Sequence, residues 1–307
     1  MCDNYVPDAK LDGFSHNRSS KAARKPLHLR VRVSRGPEYH SVKSILRGLG
    51  LHTVCEEAGC PNIYECFEAK TATFLILGDT CTRNCRFCRV GSGKPLPPNP
   101  DEPMHVANAA AKLGLRYVVI TSVTRDDLID GGASSFAETI EAVRFTAPGC
   151  IVEVLVPDFA GDWRALQQVL EAAPDVLNHN IETVPRLYPA VRPVAEYKRS
   201  LRLLSVAKEQ GFGGSTKSGI MVGLGEERSE IIDSLIDLRK HDCDIVTIGQ
   251  YLAPSQYHFP VTRYYDPSEF GELASIGMAL GFSHVESAPL VRSSYHAMEQ
   301  LEKACDE

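Results

Sequence analysis

Six short apolar runs rich in β-branched residues, at positions 73–77, 117–121, 151–156, 176–181, 219–224 and 245–248, alternate with helical patterns along most of the chain. The stretches 106–113, 136–145, 163–172, 197–209 and 230–239 between them repeat apolar residues at three- and four-residue steps, the period of a helix with one buried face. Such alternation specifies an α/β fold of parallel strands joined by right-handed helical crossovers. A doubly wound sheet and a barrel both satisfy it. A further helix at 268–280, a short strand at 284–286 and a last helix at 295–303 complete the pattern. With 307 residues, 43% of them hydrophobic, one large core is sufficient, since α/β barrels run to about 250 residues as a single domain.

The net charge of -6 argues against general nucleic-acid binding, which needs a clearly basic surface. No apolar run reaches the roughly 18 residues of a membrane span, and Met1-Cys2-Asp3-Asn4-Tyr5 lacks a signal-peptide core. The expectation is a cytoplasmic protein that binds neither nucleic acid nor membrane. Residues 1–40 are polar and carry Arg18, Lys21, Arg24, Lys25, Arg30, Arg32 and Arg35 without an intervening acid. They suit a solvated arm or a dock for an acidic partner; Asp3, Asp8 and Asp12 weigh against a transit peptide.

Ten cysteines in a large α/β chain point to metal or redox chemistry rather than to the disulfide framework of a small secreted domain. Cys2, Cys150, Cys243 and Cys305 stand alone, Cys150 as a small core residue. The other six form two triplets, Cys55, Cys60, Cys66 (C-x4-C-x5-C) and Cys81, Cys85, Cys88 (C-x3-C-x2-C). Each is one thiolate short of a closed four-ligand site. The second follows the first strand, on the face where parallel barrels build active sites. Three thiolates within eight residues can curl round one cubane cluster and leave an iron open, with Phe87 placed to cover what binds there. A structural zinc loop, the bland alternative, favours C-x2-C pairs and needs a fourth ligand.

The C-x3-C-x2-C motif with an aromatic before its last cysteine resembles that of radical S-adenosylmethionine enzymes. The resemblance implies a partial (β/α)6 TIM-type barrel whose [4Fe-4S] cluster chelates S-adenosyl-L-methionine at its open iron and cleaves it reductively to a 5′-deoxyadenosyl radical. Thr121 and Ser122, ending the second strand, and Asn180 and Glu182, after the fourth, are then candidates to hold the cofactor. Read without the resemblance, all four are equally strand-end hydrogen-bonding residues.

The first triplet, just upstream, is similar to that of the lipoyl synthase family. So are the stretches Thr121-Ser122-Val123-Thr124-Arg125-Asp126-Asp127-Leu128, Asn178-His179-Asn180-Ile181-Glu182-Thr183, Thr216-Lys217-Ser218-Gly219-Ile220-Met221, Gly249-Gln250-Tyr251-Leu252 and Arg292-Ser293-Ser294-Tyr295. Residues 258–261 and 264–267 are slight variants of that pattern. The likeness runs from about residue 40 to 297 and implies a second, auxiliary [4Fe-4S] cluster on Cys55, Cys60 and Cys66. The resemblance makes Ser294 the candidate for its fourth ligand, with Ser293 the lesser one. On position alone these serines suit the N-cap of the last helix.

The implied function is insertion of two sulfur atoms, at C6 and C8 of an octanoyl chain amide-linked to a lysine of a lipoyl carrier domain, with the auxiliary cluster as sulfur donor. Implied partners are octanoylated E2 subunits of 2-oxoacid dehydrogenases and the glycine cleavage H protein, with ferredoxin or flavodoxin as electron donor. The organisation expected is a basic arm (1–40), an auxiliary-cluster extension (41–70), the barrel (71–290) and a C-terminal helical extension that closes the auxiliary site (291–307). Alternatives are another sulfur-inserting radical enzyme, such as a biotin synthase or a methylthiotransferase, and a two-cluster electron-transfer protein.

Overall fold

The computed structural model describes residues 25–31, 33 and 35–305. Seven parallel strands form one sheet: β1 (Thr73–Ile76), β2 (Tyr117–Ser122), β3 (Ile151–Leu155), β4 (Val176–Asn178), β5 (Ser215–Val222), β6 (Ile245–Gln250) and β7 (His284–Ala288). A two-residue strand, His52–Thr53, pairs antiparallel with β1 at one edge. Each strand lies beside its sequence neighbour, and the order never reverses. A doubly wound sheet needs such a reversal, so the arrangement is the partial TIM-type barrel.

Crossover helices cover the outer face, and their boundaries follow local chemistry. Helix Glu102–Leu113 starts with proline in its first turn and stops at Gly114, whose φ of 65° is the left-handed conformation that closes a helix cheaply only at glycine. Helices Arg228–Lys240 and Pro267–Ala279 both open with capping boxes, Glu227 with Glu230 and Asp266 with Glu269.

The inner face carries the function. On β2, Val118 and Ile120 join the main core, whereas Tyr117 and Val119 pack against Ala297, Met298 and Leu301 of the last helix, Ala297–Cys305. Thr121, two residues further on the same face, lines a cavity. Between the last helix and that cavity lies a buried polar lattice. Glu153 accepts from Tyr117 Oη at 2.6 Å and Asn178 Nδ2 at 2.8 Å and pairs with Lys217 Nζ at 3.1 Å.

The expected arm ends earlier than residue 40. Helix Pro37–Gly48 begins inside it, and Leu29 and Tyr39 are buried. Apolar anchors every few residues let this segment pack, which its charge pattern conceals. Arg18, Lys21, Arg24 and Arg32, with Cys2, lie outside the described residues, whereas Lys25 lines the cavity. Cys150 and Cys243 are buried and Cys305 is exposed.

Candidate active site

The C-terminal ends of the strands surround a cavity of about 900 Å³. Its wall includes Cys55, Cys60, Cys81, Cys85, Cys88 and Phe87, together with Thr121, Ser122, Asn180, Glu182, Ser293 and Ser294. Cys66 faces a smaller pocket shared with Cys55, Cys60, Thr73, Arg292 and Ser294. The six cysteines of the triplets, with Phe87, Thr121, Ser122, Asn180, Glu182, Ser293 and Ser294, thus line one or both of two adjoining spaces.

The Cys81–Cys88 loop is clamped from three strand ends. Arg83 grips Asp126 through Nε and Nη2, both at 2.7 Å, and Nη2 also reaches Asp158 at 2.7 Å. Burial pushes the Asp158 carboxyl up, yet Arg83 outweighs it and holds the group at about 2. Thr82 N–H donates to the Thr124 carbonyl and Arg86 N–H to that of Val191. On the other side, Phe259 N–H donates to the Arg86 carbonyl, and His258 Nε2 lies 3.1 Å from the Cys88 carbonyl. Burial raises the Cys85 thiol and takes Cys88 to about 12, with the neighbouring thiols adding to the rise. Binding a metal here must therefore displace protons, as thiolate ligation generally requires.

Across the cavity, Ser122 Oγ and Asn180 Oδ1 are buried without a partner. Thr121 is different: its hydroxyl donates to the Leu155 carbonyl at 2.8 Å and its backbone is registered against Leu75 and Leu155 within the sheet, so it lines the wall with its polar groups engaged. Asn180 Nδ2 donates to Glu182 Oε1 at 3.1 Å and to Ser293 Oγ at 3.3 Å. Glu182 stands at φ 65°, a left-handed conformation unusual for a residue with a side chain. Burial pushes its carboxyl up, and Arg192, Asn180 and Arg292 oppose the rise.

In the smaller pocket, Cys55 lies on a short helix capped by the Thr53 side chain, and Cys66 on helix Ile63–Glu68. Burial and the adjacent Cys60 raise Cys55 to about 12; burial also raises Cys60 and Cys66. The far end of the chain closes this pocket. Asn62 Nδ2 donates to the Leu290 carbonyl at 2.8 Å, and Glu65 Oε1 accepts from Tyr295 Oη at 2.9 Å. Thr73 Oγ1 donates to Ser294 Oγ at 2.8 Å. Neither serine caps the last helix, which begins at Ala297.

Among the described residues, no three Cys, His, Asp or Glu side chains converge tightly enough for a single metal ion. Within each triplet the thiols are nevertheless close enough to raise one another's pKa. A group of thiolates near one another but not aimed at one point fits a body with several irons, each taking its own cysteine. The unpartnered Ser122 and Asn180 oxygens fit a polar cofactor beside it. The donor sets therefore suit two clusters and S-adenosyl-L-methionine.

Sequence reasoning missed Arg83, Asp158, Arg192, Arg292 and Thr73. Arg83 carried a signal, since an arginine between two cysteines faces the Asp126 already singled out. Arg292 stood inside the Arg-Ser-Ser-Tyr stretch, whereas Asp158 and Arg192 carried none.

The model of the Radical SAM superfamily matches residues 75–238, and that of the N-terminal domain of lipoyl synthase of the radical SAM family matches residues 3–60. A lipoyl synthase of Rubrobacter xylanophilus is 59% identical over 91% of this chain and 87% of its own. Those of Caldicellulosiruptor bescii and Desulfotalea psychrophila are 57% and 54% identical, over 89% and 91% of this chain and 94% of each relative. Two solved structures share the fold at low identity. Methylornithine synthase (PylB) matches with TM-score 0.54 and 16% identity over 87% of this chain and 86% of its own. The hydrogenase maturase HydG matches with TM-score 0.56 and 15% identity over 84% and 57%.

Proposed function

Because the chain belongs to the lipoyl synthase family of the radical S-adenosylmethionine superfamily, we propose that its two cysteine triplets divide one reaction: Cys81, Cys85 and Cys88 serve hydrogen abstraction, and Cys55, Cys60 and Cys66 hold the sulfur source. The enzyme is a sulfurtransferase that uses two [4Fe-4S] clusters and S-adenosyl-L-methionine. It inserts sulfur at C6 and C8 of an octanoyl chain carried on a lysine of a lipoyl carrier protein, and the auxiliary cluster is the sulfur substrate.

The cluster and cofactor, when bound at Cys81, Cys85 and Cys88, supply a carbon radical able to remove hydrogen from an unactivated C–H bond. The protein's part is positioning. Arg83, locked to Asp126 and Asp158, fixes the loop that carries the three thiolates. Ser122, Asn180 and Glu182 offer polar groups to the cofactor beside Thr121, while Phe87 covers it. Leu75, Leu155, Met221 and Leu252 give the cavity the apolar wall an octanoyl chain needs. A carbon held there sits between both triplets, which is the proximity that sulfur transfer demands.

The observation that carries this reading is Ser294, brought from the far end of the sequence into the pocket of Cys55, Cys60 and Cys66. Mass spectrometry of an octanoyl-lysine peptide incubated with reduced enzyme and S-adenosyl-L-methionine tests it. A mono-thiolated and then a dithiolated peptide is expected, and absence of both refutes it. The carriers are octanoylated E2 subunits of 2-oxoacid dehydrogenases and the glycine cleavage H protein, and ferredoxin or flavodoxin is the reductant. Among the described residues no helix is long and apolar enough to cross a membrane. Six ligating thiols need a reducing compartment, which supports the cytoplasm.

A further inference from the structure

Ser294 is an oxygen ligand in a site otherwise built of sulfur. Oxygen holds iron of this kind less firmly than thiolate does, so its ligation depends more on being aimed correctly. Asn62 and Glu65 tie down Leu290, Tyr295 and His296 on either side of the serine, but neither touches its hydroxyl. Among the described residues, the hydrogen bond that reaches Ser294 Oγ comes from Thr73 Oγ1, at 2.8 Å. Thr73 is well placed to aim it. It is buried, opens β1 and is registered against Val119 of β2, so its backbone is fixed by the sheet. Cys55, Thr73 and Ser294 line the same small pocket, so this one residue borders both its sulfur and its oxygen side.

We propose that Thr73 is the positioning residue for the auxiliary site: its hydroxyl holds Ser294 Oγ in register with Cys55, so that the oxygen keeps its free lone pairs turned toward iron. The proposal rests on the reading of Ser294 as a ligand. Groups that orient a metal ligand through a hydrogen bond typically change metal affinity by about 10–100-fold when removed. Thr73→Val keeps the β-branched shape of the strand residue and deletes the hydroxyl, whereas Thr73→Ser keeps the hydroxyl.

The test uses the full chain, reconstituted anaerobically with iron and sulfide, as wild type, T73V, T73S and S294A. The readouts are iron released to a chelator, the low-temperature spectrum of the clusters, and amide exchange of the 290–296 peptide in the cluster-free protein. T73V should lose a single iron about 10–100-fold more readily, develop a three-iron signal, and exchange up to about tenfold faster. T73S should behave as wild type. Wild-type iron retention in T73V alongside iron loss in S294A would overturn the role of Thr73 and leave Ser294 a ligand. Wild-type retention in both would overturn the ligand reading itself. If T73V does not melt cooperatively, T73A carries the same comparison, since it removes the hydroxyl without adding bulk.

Discussion

Gly249→Ala should injure sulfur insertion far more than cofactor cleavage, because it strikes the backbone that carries Ser294. Gly249 lies in β6, paired with Met221 of β5 and Ala288 of β7, so the strand cannot give way. A methyl group there would sit 2.2 Å from the Val291 carbonyl oxygen and 3.1 Å from its carbon. Carbon and oxygen tolerate about 3.3 Å at closest, so the 291–294 segment must retreat by about 1 Å. The backbone of Gly249 is not left-handed, and the substitution therefore tests space alone. Overpacking of this kind costs about 1–3 kcal/mol, which at about 2–4 °C per kcal/mol lowers Tm by roughly 2–12 °C. A displacement of 1 Å costs on the order of 100-fold in a positioned reaction. Insertion, followed as dithiolated octanoyl-lysine peptide, should fall by about that factor. Reductive cleavage of S-adenosyl-L-methionine should fall less, since Asp126, Asp158 and Val191 hold the Cys81–Cys88 loop. Wild-type insertion with an unchanged Tm would refute the close approach of Gly249 to Val291 as the constraint on Ser294.

Three further outcomes are expected. Alanine at Cys81, Cys85 or Cys88 should abolish reductive cleavage, whereas alanine at Cys55, Cys60 or Cys66 should leave cleavage measurable and stop insertion; iron content should fall from about eight to about four per chain in either set. Lys217→Met should destabilise the protein by about 3–5 kcal/mol in denaturant titrations, because it strands the buried Glu153 carboxylate without its cation. A loss below about 1 kcal/mol would mean that Tyr117 and Asn178 satisfy Glu153 by themselves. His179 gives stability a pH dependence. Burial, then Arg192, holds its imidazole at about 4, between the Val156 carbonyl and Ser200 Oγ, with Asp158 opposing. Between its ordinary pKa near 6.5 and about 4 the unfolded chain binds a proton that the folded chain refuses, so stability drops as pH falls, by about 3 kcal/mol in all. Denaturant titrations of the cluster-free protein from pH 7 to pH 4.5 should show that slope in wild type and lose it in His179→Gln.

The periodicity of the sequence carried the alternation of parallel strands and helices, though not the barrel over a doubly wound sheet, because its strands are apolar on both faces and its helices on one, and each pattern is local. It failed where burial is polar. β5 begins at Ser215, not at residue 219, because Ser215, Thr216, Lys217 and Ser218 read as surface while Lys217 is in fact paired with Glu153 inside the sheet. β4 ends at Asn178, whereas the sequence reading carried the strand on through His179 and Asn180 to Ile181. There the chain must bend, with Thr183 N–H on the Ile181 carbonyl and Glu182 left-handed, to turn Asn180 and Glu182 into the cavity. The cysteines were legible for the opposite reason, since no packing role explains six thiols in two clusters. Thr73 was not, because a threonine opening a strand is ordinary until its partner 221 positions away is seen.

The two triplets also differ in what must fold before they can work. Cys81, Cys85 and Cys88 are set by one loop and the strand before it, with Arg83 reaching strand ends that follow soon after in the chain. The auxiliary pocket has no such local solution. Ser294, its proposed oxygen ligand, is placed by the pairing of β7 with β6 and by the packing of the last helix on Tyr117 and Val119, since those contacts bracket the 289–296 segment. The cysteine loop thus draws most of its ties from the first four strand ends, with Phe259 and His258 after β6 adding two, whereas the auxiliary pocket needs both ends of the chain. The ties on Leu290, Ser294 and Tyr295 are side-chain hydrogen bonds and not sheet pairing, so loosening them leaves the pairing of the barrel strands intact.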